Sequence, residues 1–384
     1  MDKFKDIRPY QDDEIRPVID KLMADQDMLL SIARFYAPRL SRLFPGLMLV
    51  LARRRLRKQV VGVKDVKTMQ DVIAVYMEKM IKDTTNGLTQ SGLDRLDPQR
   101  SYVFISNHRD IAMDPALVNY VLYHGGFETL QIAIGDNLLK KPFVTDLMRL
   151  NKSFIVKRSL KGRELLQSLF LLSEYIHHCI QIGENVWIAQ REGRAKDGND
   201  RTDPALLKML AMGRRDLGLG GSLAQLHIVP VAISYEYDAC DVFKAEELFQ
   251  LATTGSFTKT DQSDIQSIVQ GVIGYKGKVH IAFGSELELA SDDPDVIAAE
   301  IDRQIIANYR LHDSNYLAFE KLANTGCLPD DAPQLDSGNV APGRQARQEF
   351  EERMATVDSK LHETWLHSYA NPVINSIRAR GCSE

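Results

Sequence analysis

The stretch YVFISNHRDIAMDP, Tyr102 to Pro115, decides the fold class, because it passes from an apolar run through a polar loop to a helix start. Tyr102-Val103-Phe104-Ile105 fits a buried strand. Asp114-Pro115 reads as a helix start, with Asp as the cap and Pro in the first helical position, where its missing N–H costs nothing. Strand, loop and helix in fourteen residues is one half of a parallel α/β unit. The loop lies at the carboxyl end of its strand, where open α/β sheets place their ligand chemistry, and it holds His108, Arg109 and Asp110.

The same alternation extends outward. Short apolar runs at 131–134, 153–156, 186–189, 228–233 and 279–283 fit further buried strands, and the stretches from Ala116 to Tyr123 and from Arg163 to Ile182 are helical between them. Up to about Thr89 the pattern is helical, ending at a turn-like Asn86-Gly87. A helix carrying Val296, Ile297, Ile301, Ile305 and Tyr309 follows Asp293-Pro294. Then come a Gly/Pro/Asp-rich link from about Asn324 to Gly343 and a last helix with Phe350, Met354, Val357, Leu361 and Trp365. The expected architecture is α/β, a mixed or mostly parallel sheet with flanking helices, plus helical N- and C-terminal extensions. Its divisions are 1–90, helical and basic; 91–290, the α/β core; and 291–384, a helical extension. Gly218-Leu219-Gly220-Gly221-Ser222 does not complete GxGxxG and reads as a plain loop, and the adjacent His177 and His178 point in different directions on their helix.

Composition excludes several classes. With 44% apolar and 26% charged residues the chain is an ordinary globular one. Cys179, Cys240, Cys327 and Cys382 are far apart and unpaired in sequence, which favours a reducing compartment over a zinc site or disulfide framework. The charged amino terminus lacks a signal peptide's apolar stretch, and no run reaches the roughly 18–20 apolar residues of a spanning helix. A cytoplasmic protein is expected. The net charge of −4 hides an asymmetry: from Met28 to Lys64 there are nine Lys or Arg and no acid. Apolar residues are interleaved and the segment ends in Arg53-Arg54-Arg55-Leu56-Arg57-Lys58. That combination fits an interfacial helix on anionic lipid, or core-packing helices with a solvated basic end. Nothing points to nucleic acid.

His108-Arg109-Asp110 opens like a protein-kinase catalytic loop, but Pro115 stands where the asparagine that binds the second magnesium belongs, and no Asp-Phe-Gly follows. A histidine with a carboxylate in reach can instead take a proton from a hydroxyl while the carboxylate orients the ring. With no GxSxG serine, direct transfer to a bound hydroxyl is the economical chemistry.

Four ordered blocks carry a family resemblance: SNHRDIAMD (106–114), SFIVKRS (153–159), WIAQREGR (187–194) and VPVAISYE (229–236). Together, from about Leu93 to Ser285, they resemble the glycerolipid acyltransferases, the glycerol-phosphate and lysophosphatidate enzymes. The Ser-Tyr-Glu ending of the fourth is closer to the glycerol-phosphate branch. The resemblance implies acyl transfer from acyl-CoA or acyl-carrier protein to a hydroxyl of glycerol 3-phosphate or 1-acylglycerol 3-phosphate, with no metal or bound redox cofactor. His108 would be the base and Asp114 the orienting carboxylate, with Asp110 as rival. The family has four residues between histidine and aspartate, whereas five separate His108 from Asp114. A loop can absorb the extra residue; a continuous helix would turn by about 100°. Arg109, Lys157, Arg158, Arg191 and Arg194 are candidates for the acceptor phosphate, since arginine meets a dianion bidentately. Glu192 and Gly193 shape the third block, Glu192 holding an arginine or a turn. Pro230, unable to donate to a ladder, points to a strand end or edge beside the cleft. The partners implied are an acyl donor, a phosphorylated glycerol or lysophospholipid acceptor and an anionic membrane surface, with the protein peripheral on the inner face. The rival is a non-catalytic lipid-binding protein on the membrane surface, with a degenerate core.

Overall fold

A computed structural model describes residues 2–258, 261–334 and 342–381; Cys382 and part of the link between Asn324 and Gly343 lie outside them. Five helices come first: α1 (Asp12–Ala24), α2 (Gln26–Tyr36), α3 (Pro38–Leu43), α4 (Pro45–Val60) and α5 (Val66–Thr84). The seven strands are β1 (Leu88–Ser91), β2 (Val103–Ser106), β3 (Leu130–Gly135), β4 (Ser153–Val156), β5 (Asn185–Ala189), β6 (Ile228–Tyr235) and β7 (Val279–Phe283). They form one sheet in the order β1-β7-β6-β2-β5-β3-β4. The five strands from β6 to β4 are mutually parallel, while β7 runs antiparallel to β6 and takes β1 with it.

The apolar runs are continuous because both faces of the sheet are covered. On one face Val103, Ile105, Val186, Ile188 and Ile228 pack with α8 (Gly162–Gln181), α9 (Pro204–Leu210), α10 (Gly218–Ala224) and α13 (Pro294–Asn308). On the other, Phe104, Ile132, Trp187, Val229, Val231 and Tyr235 pack with α6 (Met113–His124). The open edge of β4 is capped by the amino-terminal segment, whose Ile7 carbonyl accepts from Ile155 N at 2.9 Å. α7 (Pro142–Leu150) joins the amino-terminal helices in a separate apolar cluster. α11 (Asp241–Thr254) and α12 (Asp261–Ile273) fill the crossover from β6 to β7. The chain ends in α14 (Asp313–Thr325), α15 (Arg344–Ala355) and α16 (His362–Gly381), which share a core around Trp365 and Phe350.

Four local expectations are corrected. α6 begins at Met113, so Asp114 is its second residue and does not cap it; the N–H groups of Ala112, the cap residue, and Met113 are met by Asp110 Oδ1 at 3.0 and 2.9 Å. Residues 218–224 are helical instead of a loop, with Gly220 N donating to Asp292 Oδ1 at 2.6 Å. The single last helix is two, broken between Ala355 and His362. Pro230 sits at neither an edge nor a strand end: β6 is flanked by both β7 and β2. Its carbonyl accepts from Gly284 N at 2.8 Å, so its missing N–H faces the point where the β7 ladder has just ended.

Candidate active site

The parallel strands deliver their carboxyl ends to one rim, with Ser106 opposite Ala189 and Gly135 opposite Val156. The three loops that leave β2, β4 and β5 there carry His108, then Lys157 and Arg158, then Arg191 through Arg194. All of these line one cavity of about 730 Å³. Its remaining wall is largely apolar, including Ile73, Met77, Met113, Ile134, Leu169 and Met209.

His108 is fixed from several sides. Its Nδ1 lies 2.8 Å from Asp114 Oδ2, and against a carboxylate that nitrogen carries the hydrogen, leaving Nε2 for a substrate. The same oxygen accepts from Arg109 N at 2.6 Å and Asp110 N at 2.9 Å, so one buried carboxylate closes the loop and orients the ring. The five-residue spacing is absorbed in that loop, and Asp110 does not reach the imidazole: its carboxylate is spent on the start of α6. The His108 carbonyl accepts from Ala195 N at 2.8 Å, tying the β2 loop to the β5 loop. Trp187 packs edge-on to the imidazole at 5.7 Å, and its indole N–H donates to Ser106 Oγ at 3.0 Å.

The two acids differ in surroundings. Asp110 is buried against α12, where a Cβ on Gly271 would lie 2.1 Å from its Oδ2. Burial, and then the charge of Asp114, push its carboxyl up to about 6.

The cations separate into those that face the cavity and one that does not. Arg109 is turned inward, donating to Asp200 Oδ2 at 2.6 Å and Gly198 O at 3.3 Å beneath the Tyr309 ring. It is buried and absent from the cavity wall, which corrects its assignment to the substrate. Pro230 is likewise absent from it. Arg158 meets Glu192 at 3.3 Å, an exposed pair of small energetic weight that does link the second and third blocks. The turn after β4 is pinned by Asp136, which accepts from Arg158 N and from Ser159 Oγ at 3.0 and 2.6 Å. Gly193 has φ +77°, the left-handed region that favours glycine, letting the chain turn between Glu192 and Arg194. Arg194 donates through Nη2 to Ser267 Oγ of α12 at 3.3 Å, while its buried Nη1 has no partner among the described residues. Lys196, also on the wall, is held by Glu247 at 2.5 Å.

Residues 87–234 match the family model described as Acyltransferase. The chain carries an acyltransferase-family domain. It is similar to the glycerol-3-phosphate acyltransferase of Pseudomonas syringae pv. syringae (strain B728a), with 27% identity over 245 residues, 62% of this chain and 28% of that one. It is 32% identical over 155 residues to the enzyme of the same name from Pseudoalteromonas atlantica (strain T6c / ATCC BAA-1087), 40% of this chain and 17% of that one. The matched region thus spans less than a third of those relatives' length. Among solved structures, the 1-acyl-sn-glycerophosphate (LPA) acyltransferase PlsC from Thermotoga maritima aligns at TM-score 0.37 and 12% identity, over 72% of this chain and 92% of that one. That likeness is too distant to transfer residue roles. Three of the four blocks line the cavity, and the fourth reaches the site through a residue that sequence reasoning left without a role: Tyr235, whose hydroxyl donates to Asp114 Oδ1 at 2.7 Å.

Proposed function

We propose that the chain transfers a fatty acyl group from acyl-CoA or acyl-carrier protein to a hydroxyl of glycerol 3-phosphate or 1-acylglycerol 3-phosphate, in glycerolipid synthesis. The observation that carries this reading is a carboxylate-held histidine and an arginine, Arg194, with a buried guanidinium nitrogen unpartnered among the described residues, both on the wall of one cavity. His108 Nε2 takes the proton of the acceptor hydroxyl as its oxygen attacks the thioester carbonyl. The new C–O bond forms, the C–S bond breaks, and the proton passes from His108 to the departing sulfur. Lys157, Arg158, Arg191 and Arg194 face the acceptor phosphate, and the apolar wall takes the acyl chain. No step requires a metal or redox group.

The same reading places the enzyme on an anionic membrane surface, as a peripheral protein at the cytoplasmic face. No helix among the described residues is long and apolar enough to cross a membrane. α2 buries Met28, Leu29 and Ala33, but α4 buries none of its residues. Leu40, Leu43, Phe44, Leu47, Val50 and Leu51 are all exposed, a large apolar surface that none of the described residues covers. Along one face of α4, Val50, Arg53, Arg54, Arg57, Lys58 and Val61 recur at helical spacing. Apolar insertion beside a cationic stripe suits anionic lipid.

The test is thiol release from acyl-CoA and from acyl-carrier protein thioesters, with and without glycerol 3-phosphate, 1-acylglycerol 3-phosphate or glycerol. Release that depends on a phosphorylated acceptor is expected. Vesicle binding without release from any donor and acceptor would return the non-catalytic lipid-binding reading.

A further inference from the structure

We propose that Tyr235 is a positioning residue, its hydroxyl holding the free oxygen of Asp114 so that the carboxylate presents its other oxygen to His108. The geometry is one-to-one. Asp114 has no solvent exposure, and its Oδ2 is already shared among His108 Nδ1 and two backbone N–H groups. The sole protein partner of Oδ1 among the described residues is Tyr235, at 2.7 Å. A buried carboxylate oxygen without a donor carries a full desolvation penalty; the phenol removes it and adds a fixed point on the side of the carboxylate away from the loop.

Tyr235 is built for this. It ends β6, five strand residues beyond Pro230, with its ring packed among the buried apolar residues of the α6 face. Burial, and then the charge of Asp114, hold its hydroxyl well above its ordinary range, so it stays a neutral donor at any working pH. The ionisable groups around the pair include Asp110 and Arg109 of the same loop, Asp200 after β5, Asp238 and Cys240 after β6, Lys276 ahead of β7 and Tyr309 after α13. Tyr235→Phe alters none of them.

The sign of the effect follows. A donor to an anionic pair stabilises the pair without its extra proton, so losing the donor makes His108 and Asp114 together hold that proton more tightly. In Tyr235→Phe the histidine titration curve is displaced to higher pH by roughly 0.5–1 pH unit, the equivalent of one ordinary hydrogen bond. The consequence for turnover rests on the acyl-transfer reading: the acid limb of kcat/KM moves up by the same amount, and kcat falls with acceptor KM little changed.

The experiment is an NMR titration of the full chain without substrate, with the His108 resonance identified by its absence in His108→Gln. It reports on the pair whether or not the protein transfers acyl groups, so its failure and that of the functional reading are distinct. Replacing Tyr235 with 3-fluorotyrosine, a stronger donor of nearly the same shape, displaces the curve to lower pH and serves if the phenylalanine variant does not fold. A folded Tyr235→Phe or fluorotyrosine protein whose His108 curve coincides with wild type overturns the proposal. So does an activity loss that is uniform across pH.

Discussion

Arg109 and the arginines of α4 are the same chemical group in opposite surroundings. The guanidinium of Arg109 is buried, ion-paired with Asp200 and hydrogen-bonded to a carbonyl, both through Nη2, so its charge is met inside the fold although its buried Nε has no partner among the described residues. Arg54, Arg57 and Lys58 stand exposed with no carboxylate within ion-pair distance among the described residues. A charge that the fold has satisfied can only shape its surroundings. One left open can meet something from outside. His108 lies between these extremes, with one ring nitrogen committed to Asp114 and the other at the cavity.

That intermediate position gives the largest expected effect. His108→Ala should lower turnover ~10²–10⁴-fold with the circular dichroism spectrum unchanged. Asp114→Asn should cost more than Asp110→Asn, because only Asp114 touches the imidazole. Full activity in a folded His108→Ala protein would remove the mechanism.

Next comes the contrast itself. Arg109→Ala leaves Asp200 buried without its cation and should destabilise the fold by ~3–5 kcal/mol in denaturant unfolding. Neutralising Arg53, Arg54, Arg55, Arg57 and Lys58 together should leave stability within about 1 kcal/mol. It should instead abolish sedimentation with anionic vesicles, since each cation contributes about 1 kcal/mol at such a surface. Wild-type protein should bind those vesicles at low salt and be partly released at high salt. If the two sets of substitutions have the same effect, the contrast is wrong.

Arg194 tests the open end of the series within the site. Arg194→Ala should raise acceptor KM roughly tenfold or more, the weight of one charge-assisted hydrogen bond, with donor KM nearly constant. Equal changes in both constants would make it a structural residue that serves only α12 through Ser267.

The same distinction explains what could be read from sequence. Buried strands announce themselves by composition: the apolar runs 153–156 and 279–283 coincide with β4 and β7, because a strand covered on both faces tolerates little else. β1, Leu-Thr-Gln-Ser at the sheet edge, is mostly exposed and carries no such signal. The helix at 218–224 is hidden by its glycines, which local propensity penalises and packing against the chain near Asp292 accommodates. At the site, residue type brought out His108 with two candidate acids, and the family resemblance pointed to Asp114 and the basic strand ends. They could not tell that Arg109 turns inward, since its direction depends on Asp200, ninety-one residues away. Tyr235 shows no role in sequence beyond its place in the fourth block, because its ring packs in the core and its polar contact with Asp114 spans 121 residues.

The smallest expected effect belongs to Asp110, the acid that stayed out of the pair. Its carboxyl, pushed up to about 6, holds a proton more tightly folded than unfolded, where an aspartate titrates near 4. The sign is therefore opposite to that of a salt-bridged carboxylate: this group favours the fold below about pH 4, and that advantage is lost as pH rises through about 6. Above that, an ionised carboxylate sits buried beside Asp114. Asp110→Asn keeps an oxygen for the N–H groups of Ala112 and Met113 and removes the charge, while its amide must fit where Oδ2 faces Gly271 and the Cys240 thiol. Net stabilisation of ~1 kcal/mol is expected at pH 8, shrinking to nothing as pH falls towards 4. Thermal unfolding of both proteins across that range measures it. A variant less stable at pH 8 would mean that the carboxylate is worth more to the start of α6 as an ion than it costs to bury.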